Sequence, residues 1–576
     1  MQGISLSRAP FGLTFGRGKG KLNTTFFNLE STQMSEKQRK REYLWAALIT
    51  LVILAYLAVY TLIDFRGFAR LATSDMYEDT LVARLMWEQK TLFPKNYLFG
   101  NQLYVAATPV LAALFYGLTG SMNRGMAWAT LCMSGFLLAS MVWMLRACVK
   151  RPSLRAAAVL VFLASIFGPF SVFREEGQQL FFAMCSFYAC YLICFFVVLG
   201  DYARARQSQT RRSGALILAA LLCFAMGVQS LRQTCVLILP LLAFEALGAL
   251  LRLLKKQPLY SAGDRKRLWR VLIYTAANVL GLIAARLIPV RRHEIFEGAS
   301  IFSGASVSDK LRDVHTALVT VTGYEVTKQA EHRLFFILLF LALTLLVLAA
   351  AALLLRRREP LSGTAACFWL AALLGCLAVI AASFVTSVQL RPIYLFLYYT
   401  LPALSLVLVG ERLKPRLRAA LVAVLCVLSA ANLYFSYHDD LRIALAKEPS
   451  PAQRISDWAV ENGYELVYGN QSTCAPYVAV CSDGALTAGC WRDDFPFKVS
   501  QHINIRDVYH IEDYARAIFV FQETEAPALV AEAEANGAEM RLQGQYSPYV
   551  VYTASQQCLW PVTELIDYAE RFPEYN

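Results

Sequence analysis

Eleven stretches of this chain are long, apolar and almost free of charge, and their repetition leaves few folds open. They cover 43–63, 125–145, 156–173, 177–200, 215–231, 233–251, 271–290, 334–355, 360–390, 392–410 and 419–437. A helix crossing the hydrocarbon core of a bilayer needs about 20 mostly apolar residues. The 576 residues are 57% hydrophobic and 17% charged, against roughly 45–50% and about 25% in soluble domains. A disordered chain is excluded, and an ordinary soluble enzyme is disfavoured. The net charge of +13 is read first as a topology signal rather than as a nucleic-acid footprint.

The loops sort by charge. Segments 1–42, 146–155, 201–214, 252–270, 356–359 and 411–418 together hold 30 Lys and Arg against seven acids. The short segments between them are nearly balanced. Positive loops stay on the cytoplasmic side, so eleven spans are expected, with the N-terminus inside and the C-terminus outside. The first run follows Lys37, Arg39, Lys40 and Arg41. It starts too late for a cleaved signal peptide, and no small-residue cleavage site follows it. One more uncharged run, 102–123, would break the parity by placing Arg146, Lys150, Arg151 and Arg155 outside. With Gln102, Pro109 and Asn123 in it, the run reads as a re-entrant or membrane-surface helix within a first outer loop, 64–124. A second long outer loop is expected at 291–333.

The two ends differ. Residues 1–42 read as a basic, solvated cytoplasmic tail. Residues 438–576 carry nine basic and 21 acidic residues, whereas 1–437 carry 46 basic and 21 acidic. This acidic segment has helical patterning at 451–462 and 526–535, and strand-like patterning at 517–521, 539–542 and 550–553. It is expected to form an α/β domain outside the membrane. Its four cysteines, Cys474, Cys481, Cys490 and Cys558, allow three disulfide pairings, and the sequence does not choose among them.

Several sites are absent. There is no G-x-x-x-x-G-K-[ST] loop and no H-E-x-x-H, and the six histidines lack metal-ligand spacing. Glu245 is the one clear acid within a run, close to a basic loop with which it can pair. Polar residues collect instead at the outer ends of the runs. Asp75, Glu78 and Asp79 fall within one helical turn, where mutual repulsion raises a pKa or recruits a divalent cation. Glu175 and Glu176 sit in a very short loop. Arg232 is the only charge between Arg212 and Glu245, and Arg391 stands just before Tyr394 at the start of a run. Lone outer arginines need anionic partners. Together they suit a pocket in which guanidinium groups hold a phosphate and a carboxylate takes a proton from an acceptor hydroxyl.

The order of these features resembles the GT-C class of multi-spanning, lipid-linked-sugar glycosyltransferases. A first span leads to an outer loop with an early acid, here Asp75. A surface helix follows, and then a span begins near an arginine, here Arg124. The stretch KTLFPKNYLFGNQ at 90–102 looks like a bacterial subset of the class, as do Asn462-Gly463-Tyr464, Tyr468-Gly469 and Ser482-Asp483-Gly484. Glu175 and Glu176 take the place of the second-loop acid, and Arg391 with Tyr394 resembles the Arg–Tyr entry to a late span. Met76 departs from the common Asp-Glu pair, leaving Glu78 or Asp79 as its substitutes. Arg232 stands where many relatives carry lysine.

The resemblance implies an α-helical polytopic plasma-membrane enzyme with a C-terminal extracytoplasmic α/β domain. It would move a sugar from a polyprenyl-phosphate carrier to a glycan or lipid acceptor, with no soluble nucleotide and no nucleic-acid partner. Asp75, Glu78 and Asp79 would be catalytic, and Glu175, Glu176, Arg232, Arg391 and Tyr394 would contact substrate. No cofactor is certain, though a divalent cation fits the acid cluster. Two rivals remain: a transporter or flippase, which predicts polar residues along the span interiors, and a scaffold, which predicts that the loop acids do not converge.

Overall fold

The computed structural model describes residues 35–100, 102–166, 188–207, 213–254, 256, 262–290, 306–329, 331–356, 364–492, 496–499 and 514–561. Helices dominate the first three-quarters of the chain. In order they are α1 (Glu36–Leu71), α2 (Ser74–Glu88), α3 (Thr108–Thr119), α4 (Met122–Leu145), α5 (Pro152–Ser165), α6 (Ala189–Gln207) and α7 (Ser213–Gln229). Then follow α8 (Leu239–Leu254), α9 (Ala262–Leu287), α10 (Val307–Val321), α11 (Arg333–Leu355), α12 (Thr364–Val385), α13 (Thr400–Arg412) and α14 (Pro415–Leu445). A π-helical turn, Thr234–Ile238, leads into α8, and a 3-10 helix, Pro392–Tyr399, leads into α13.

Among the described residues, eight helical segments are long and apolar enough to cross a membrane. They are α1, α4, the π-turn with α8, α9, α11, α12, the 3-10 helix with α13, and α14. The expected runs at 156–173, 177–200 and 215–231 correspond to α5, α6 and α7, of which α5 and α7 are apolar but shorter. The run 102–123 contains only the 12-residue α3, about 18 Å long at 1.5 Å per residue and too short to span. It starts at Pro109 in its first turn and stops at Gly120, whose φ of 66° is a left-handed helix end.

With few charges available inside the bundle, small residues and buried hydrogen bonds fix the helix pairs. Between α1 and α14, Tyr56 donates to the Ser429 carbonyl at 2.6 Å, and Asn432 donates to the Tyr56 hydroxyl at 3.2 Å. Tyr437 donates to the Ile166 carbonyl at 3.1 Å. Near the far end of the same pair, a Cβ on Gly67 would lie 2.6 Å from that of Ala444. Between α7 and α9, Gly227 and Gly281 bring backbone against backbone. A Cβ on either would press into a main-chain carbonyl, of Asn278 or of Phe224. Asn278 ties this junction to the π-turn, donating to the Cys223 carbonyl at 3.2 Å and accepting from Thr234 at 2.6 Å. Where the basic loops lie, buried charges neutralise one another. Glu245 accepts from Tyr202 and faces Arg267, Arg267 meets Asp264 at 2.8 Å, and Arg270 pairs with Asp201.

The acidic segment folds as expected around a sheet. After α15 (Pro451–Glu461) come β1 (Leu466–Asn470), α16 (Ala475–Cys481), β2 (Thr487–Trp491), β3 (Lys498–Val499), β4 (Ala517–Gln522), α17 (Ala526–Ala535), β5 (Met540–Tyr546), β6 (Tyr549–Ala554) and β7 (Trp560–Pro561). The main sheet has the order β2-β1-β4-β6-β5, with β1 parallel to β2 and β4 and the last two pairings antiparallel. Every residue of β1 and β2 is buried, as suits parallel strands covered on both faces. Cys474, Cys490 and Cys558 are buried thiols outside any disulfide.

This domain docks on the bundle through α2 and the first turn of α4. The Asn123 backbone N–H donates to the Asp483 carboxylate at 2.8 Å, and the Asn123 side chain donates to the Val480 carbonyl at 2.9 Å. Arg84 donates to the Gly484 carbonyl at 3.0 Å. Asp483 and Gly484 both have positive φ, 52° and 100°, which favours the Asp-Gly pair found there.

Candidate functional site

Helix α2 starts two residues beyond the end of α1 and places Asp75, Glu78 and Asp79 on one face, as the spacing predicts. The three acids differ in access. Asp75 is half-buried, Glu78 is 8% exposed and Asp79 is fully buried. Gln471, just after β1, donates to Glu78 at 2.9 Å, and the neighbouring Tyr77 hydroxyl accepts from the Ala488 N–H at 2.8 Å. Burial pushes the Glu78 carboxyl well above its usual range, and the charges of Asp75 and Asp79 push the same way. Loop tyrosines Tyr97 and Tyr104 lie in the field of all three acids and are raised by burial first and by those charges second.

Arg232 sits at the π-turn between α7 and α8. Its guanidinium donates to the Gln102 side chain at 3.2 Å and lies 5.1 Å from the ring centre of Tyr188 and 5.3 Å from that of Tyr394. Two aromatic faces fix a planar cation without neutralising it. Among the described residues no carboxylate is within ion-pair distance of Arg232. The Gln102 loop is pinned in turn by Gln229. The Gln229 carbonyl accepts from the Leu103 N–H at 2.9 Å, and its side-chain oxygen accepts from Val105 and Ala106 at 3.4 Å. Tyr191 and Ser230 share a 2.7 Å hydroxyl contact beside it.

Arg391 and Tyr394 occupy the start of the 3-10 helix, Arg391 exposed and Tyr394 half-buried. Tyr188 lies within electrostatic reach of Arg232, Tyr394, Arg391 and Asp75. Arg232 and Tyr394 lie against the Tyr188 ring, while Arg391 and Asp75 reach its phenol only through their charges. Glu175 and Glu176 lie outside the described residues. Glu78 and Asp79 are buried, which leaves Asp75 the most accessible of the three acids. Among the described residues no three His, Cys, Asp or Glu side chains are grouped so as to hold a metal ion.

The sequence reading missed Gln102, Tyr188, Gln229 and Gln471 as parts of this site. Each is uncharged, and three of them sit in or beside apolar runs, where a buried polar residue is costly unless it is paired. That cost is the signal that could have found them.

No protein-family model matches the sequence, and no curated protein matches it. Solved structures do. ArnT from Cupriavidus metallidurans bound to undecaprenyl phosphate aligns with 88% of this chain and 98% of its own, with a TM-score of 0.55 at 14% identity. The same protein in the apo state aligns with 88% and 97%, with a TM-score of 0.54 at 14% identity. The chain therefore has the fold of ArnT, a bundle of apolar helices carrying a small C-terminal sheet domain.

Proposed function

We propose that this protein is a multi-pass plasma-membrane glycosyltransferase that takes a sugar from a polyprenyl-phosphate carrier and gives it to a glycan or lipid acceptor on the outer face. The observation that carries the reading is Arg232, held between Tyr188 and Tyr394 with Asp75 and Arg391 in reach of the same phenol. The ArnT fold, found with undecaprenyl phosphate bound, supports the class of donor.

In this reading Arg232 and Arg391 hold the carrier phosphate, and Asp75, the most accessible of the three acids, is the general base. The acceptor oxygen bonds to the sugar C1 as the C1–O bond to the phosphate breaks. The acceptor proton passes to Asp75, and the polyprenyl phosphate leaves with its new charge facing the arginines. Glu78 and Asp79, both buried, act on the Asp75 charge. Glu175 and Glu176, the second-loop acids of the resemblance, are assigned to acceptor or metal contact. The scaffold reading requires the acids and arginines to stay apart, and their shared neighbour Tyr188 counts against it.

The test is turnover by the purified, membrane-inserted chain with a polyprenyl-phosphate-linked sugar. Asp75→Asn should lower the rate by on the order of 10²–10⁴. Unchanged turnover removes Asp75 as the base. Retained carrier binding in both Arg232→Ala and Arg391→Ala would overturn the transferase reading in favour of a scaffold.

A further inference from the structure

At the end of the bundle remote from the C-terminal domain, a cavity of about 490 Å³ opens between the first turns of α1, α5 and α14. Arg41, Arg151, Arg416 and Arg418 line it, with Glu42 as the one acid in its wall. Glu42 is already engaged, pairing with Arg151 at 3.3 Å and accepting from the Ser153 hydroxyl. Glu411 lies nearby, in the field of Arg151 and Arg418 first and of Lys150 more weakly.

Arg418 is the unusual member. It is 8% exposed, and among the described residues no hydrogen bond or ion pair reaches its guanidinium. Its charged neighbours are Arg151, Glu42 and Glu411. Most of the Arg418 side chain is covered while its guanidinium opens on the cavity without a hydrogen-bonding partner, so a ligand that supplies acceptors there is favoured. The backbone adds to the pull. Helix α5 begins after Arg151 and α14 after Lys414, and neither N-terminus has a side-chain cap. Uncapped helix starts direct N–H groups and the positive dipole end at an anion.

The same cavity has an apolar side, made by Trp45, Ala419 and Val422. Beyond it, α1 and α14 expose Leu48, Leu51, Val424 and Val427, a track that suits an acyl chain. We propose that this cavity binds the phosphate head group of an anionic membrane lipid, with Arg418 as the central cation and the lipid tail along α1 and α14. Basic pockets between membrane helices are a recognised fit for acidic head groups. Neither α2 nor Arg232 takes part, so the site is separate from the proposed transferase pocket.

Native mass spectrometry of the full detergent-purified chain tests this, with phosphatidylglycerol, phosphatidylcholine and inorganic phosphate as probes. The chain should retain phosphatidylglycerol in preference to phosphatidylcholine. Arg418→Gln should weaken that retention by on the order of tenfold, the effect of losing one charged donor, and Arg418→Lys should restore part of it. Arg416→Gln and Arg41→Gln change exposed residues and should also weaken it, which decides the matter if Arg418→Gln does not fold. Equal retention of the two lipids, or no effect in any of these variants, overturns the proposal. Displacement of phosphatidylglycerol by millimolar inorganic phosphate, with phosphate then bound in its place, assigns the site to free phosphate and overturns the lipid.

Discussion

Gln471, the first residue after β1, donates its side-chain amide to the Glu78 carboxylate across the junction between the C-terminal domain and α2. The contact couples the sheet domain to the acid cluster. It also partly offsets the burial that holds the Glu78 carboxyl high.

A titration signature follows from that carboxyl. In the unfolded chain Glu78 loses its proton near pH 4.3, while the folded chain holds it to higher pH. The folded state therefore binds more protons through this window, and stability falls as pH rises through it. Glu78→Gln should flatten the decline, melting at or above wild type at alkaline pH and losing that advantage toward pH 4. Melting curves with the same pH slope in both proteins would refute the assignment.

Gln471→Ala removes the donor and leaves the buried carboxylate with one bond fewer, at a cost of about 1–3 kcal/mol. The loss should appear first as faster proteolysis between α14 and α15, while the bundle stays intact. Proteolysis unchanged from wild type would mean that the docking does not depend on this bond.

Arg232→Ala should weaken carrier-phosphate binding by about 2–5 kcal/mol if the pair is fully desolvated. Arg232→Lys should recover part of it, because lysine keeps the charge but loses the planar fit between Tyr188 and Tyr394. Titration with undecaprenyl phosphate, followed by thermal shift, reads both variants. Equal shifts in all three proteins would separate Arg232 from the phosphate.

Gly281→Ala sets a methyl group against the Phe224 carbonyl. Main-chain atoms cannot rotate away, so overpacking should cost about 1–3 kcal/mol. The same change at Gly248, where a Cβ meets nothing within 4 Å, should leave melting unchanged and serves as the control.

The loop charges assign sides. Single cysteines placed at the exposed positions 256 and 460, in a background without accessible native thiols, should react with an impermeant reagent from opposite faces of the membrane. Reaction of both from outside would invert the cytoplasmic assignment of the N-terminus.

Much of the architecture was legible because its physics is local. Charge-free runs mark membrane helices, and Pro and Gly bracket α3 where a spanning helix would need more length. Strand β4, Ala517–Gln522, reads as a buried apolar run. Strands β1 and β2 did not, since Leu466–Asn470 and Thr487–Trp491 hold one β-branched residue each, Val467 and Thr487, and otherwise include Gly, Ala or Asn. There the backbone needs smallness, and a Cβ on Gly469 would lie 2.6 Å from the Val520 carbonyl oxygen. In the site, the charges announced themselves by their rarity, which is how Arg232, Arg391 and Asp75 stood out. Their uncharged supports did not, because Gln102, Gln229 and Gln471 gain meaning only from partners 38 to 393 residues away in sequence.

The π-helical turn after Arg232 has a consequence for how the chain tolerates length changes. A π-turn holds one residue more than the α-helical turn it replaces, so Thr234–Ile238 acts as a slack link in an otherwise fixed register. Removing one residue there lets the turn relax to ordinary α geometry, with the flanking residues nearly keeping their register. Arg232 would then stay in the slot between its two tyrosines. The same deletion inside regular α8 has no slack to draw on, and turns one side of the helix against the other by about 100°, the angular step of one helical residue.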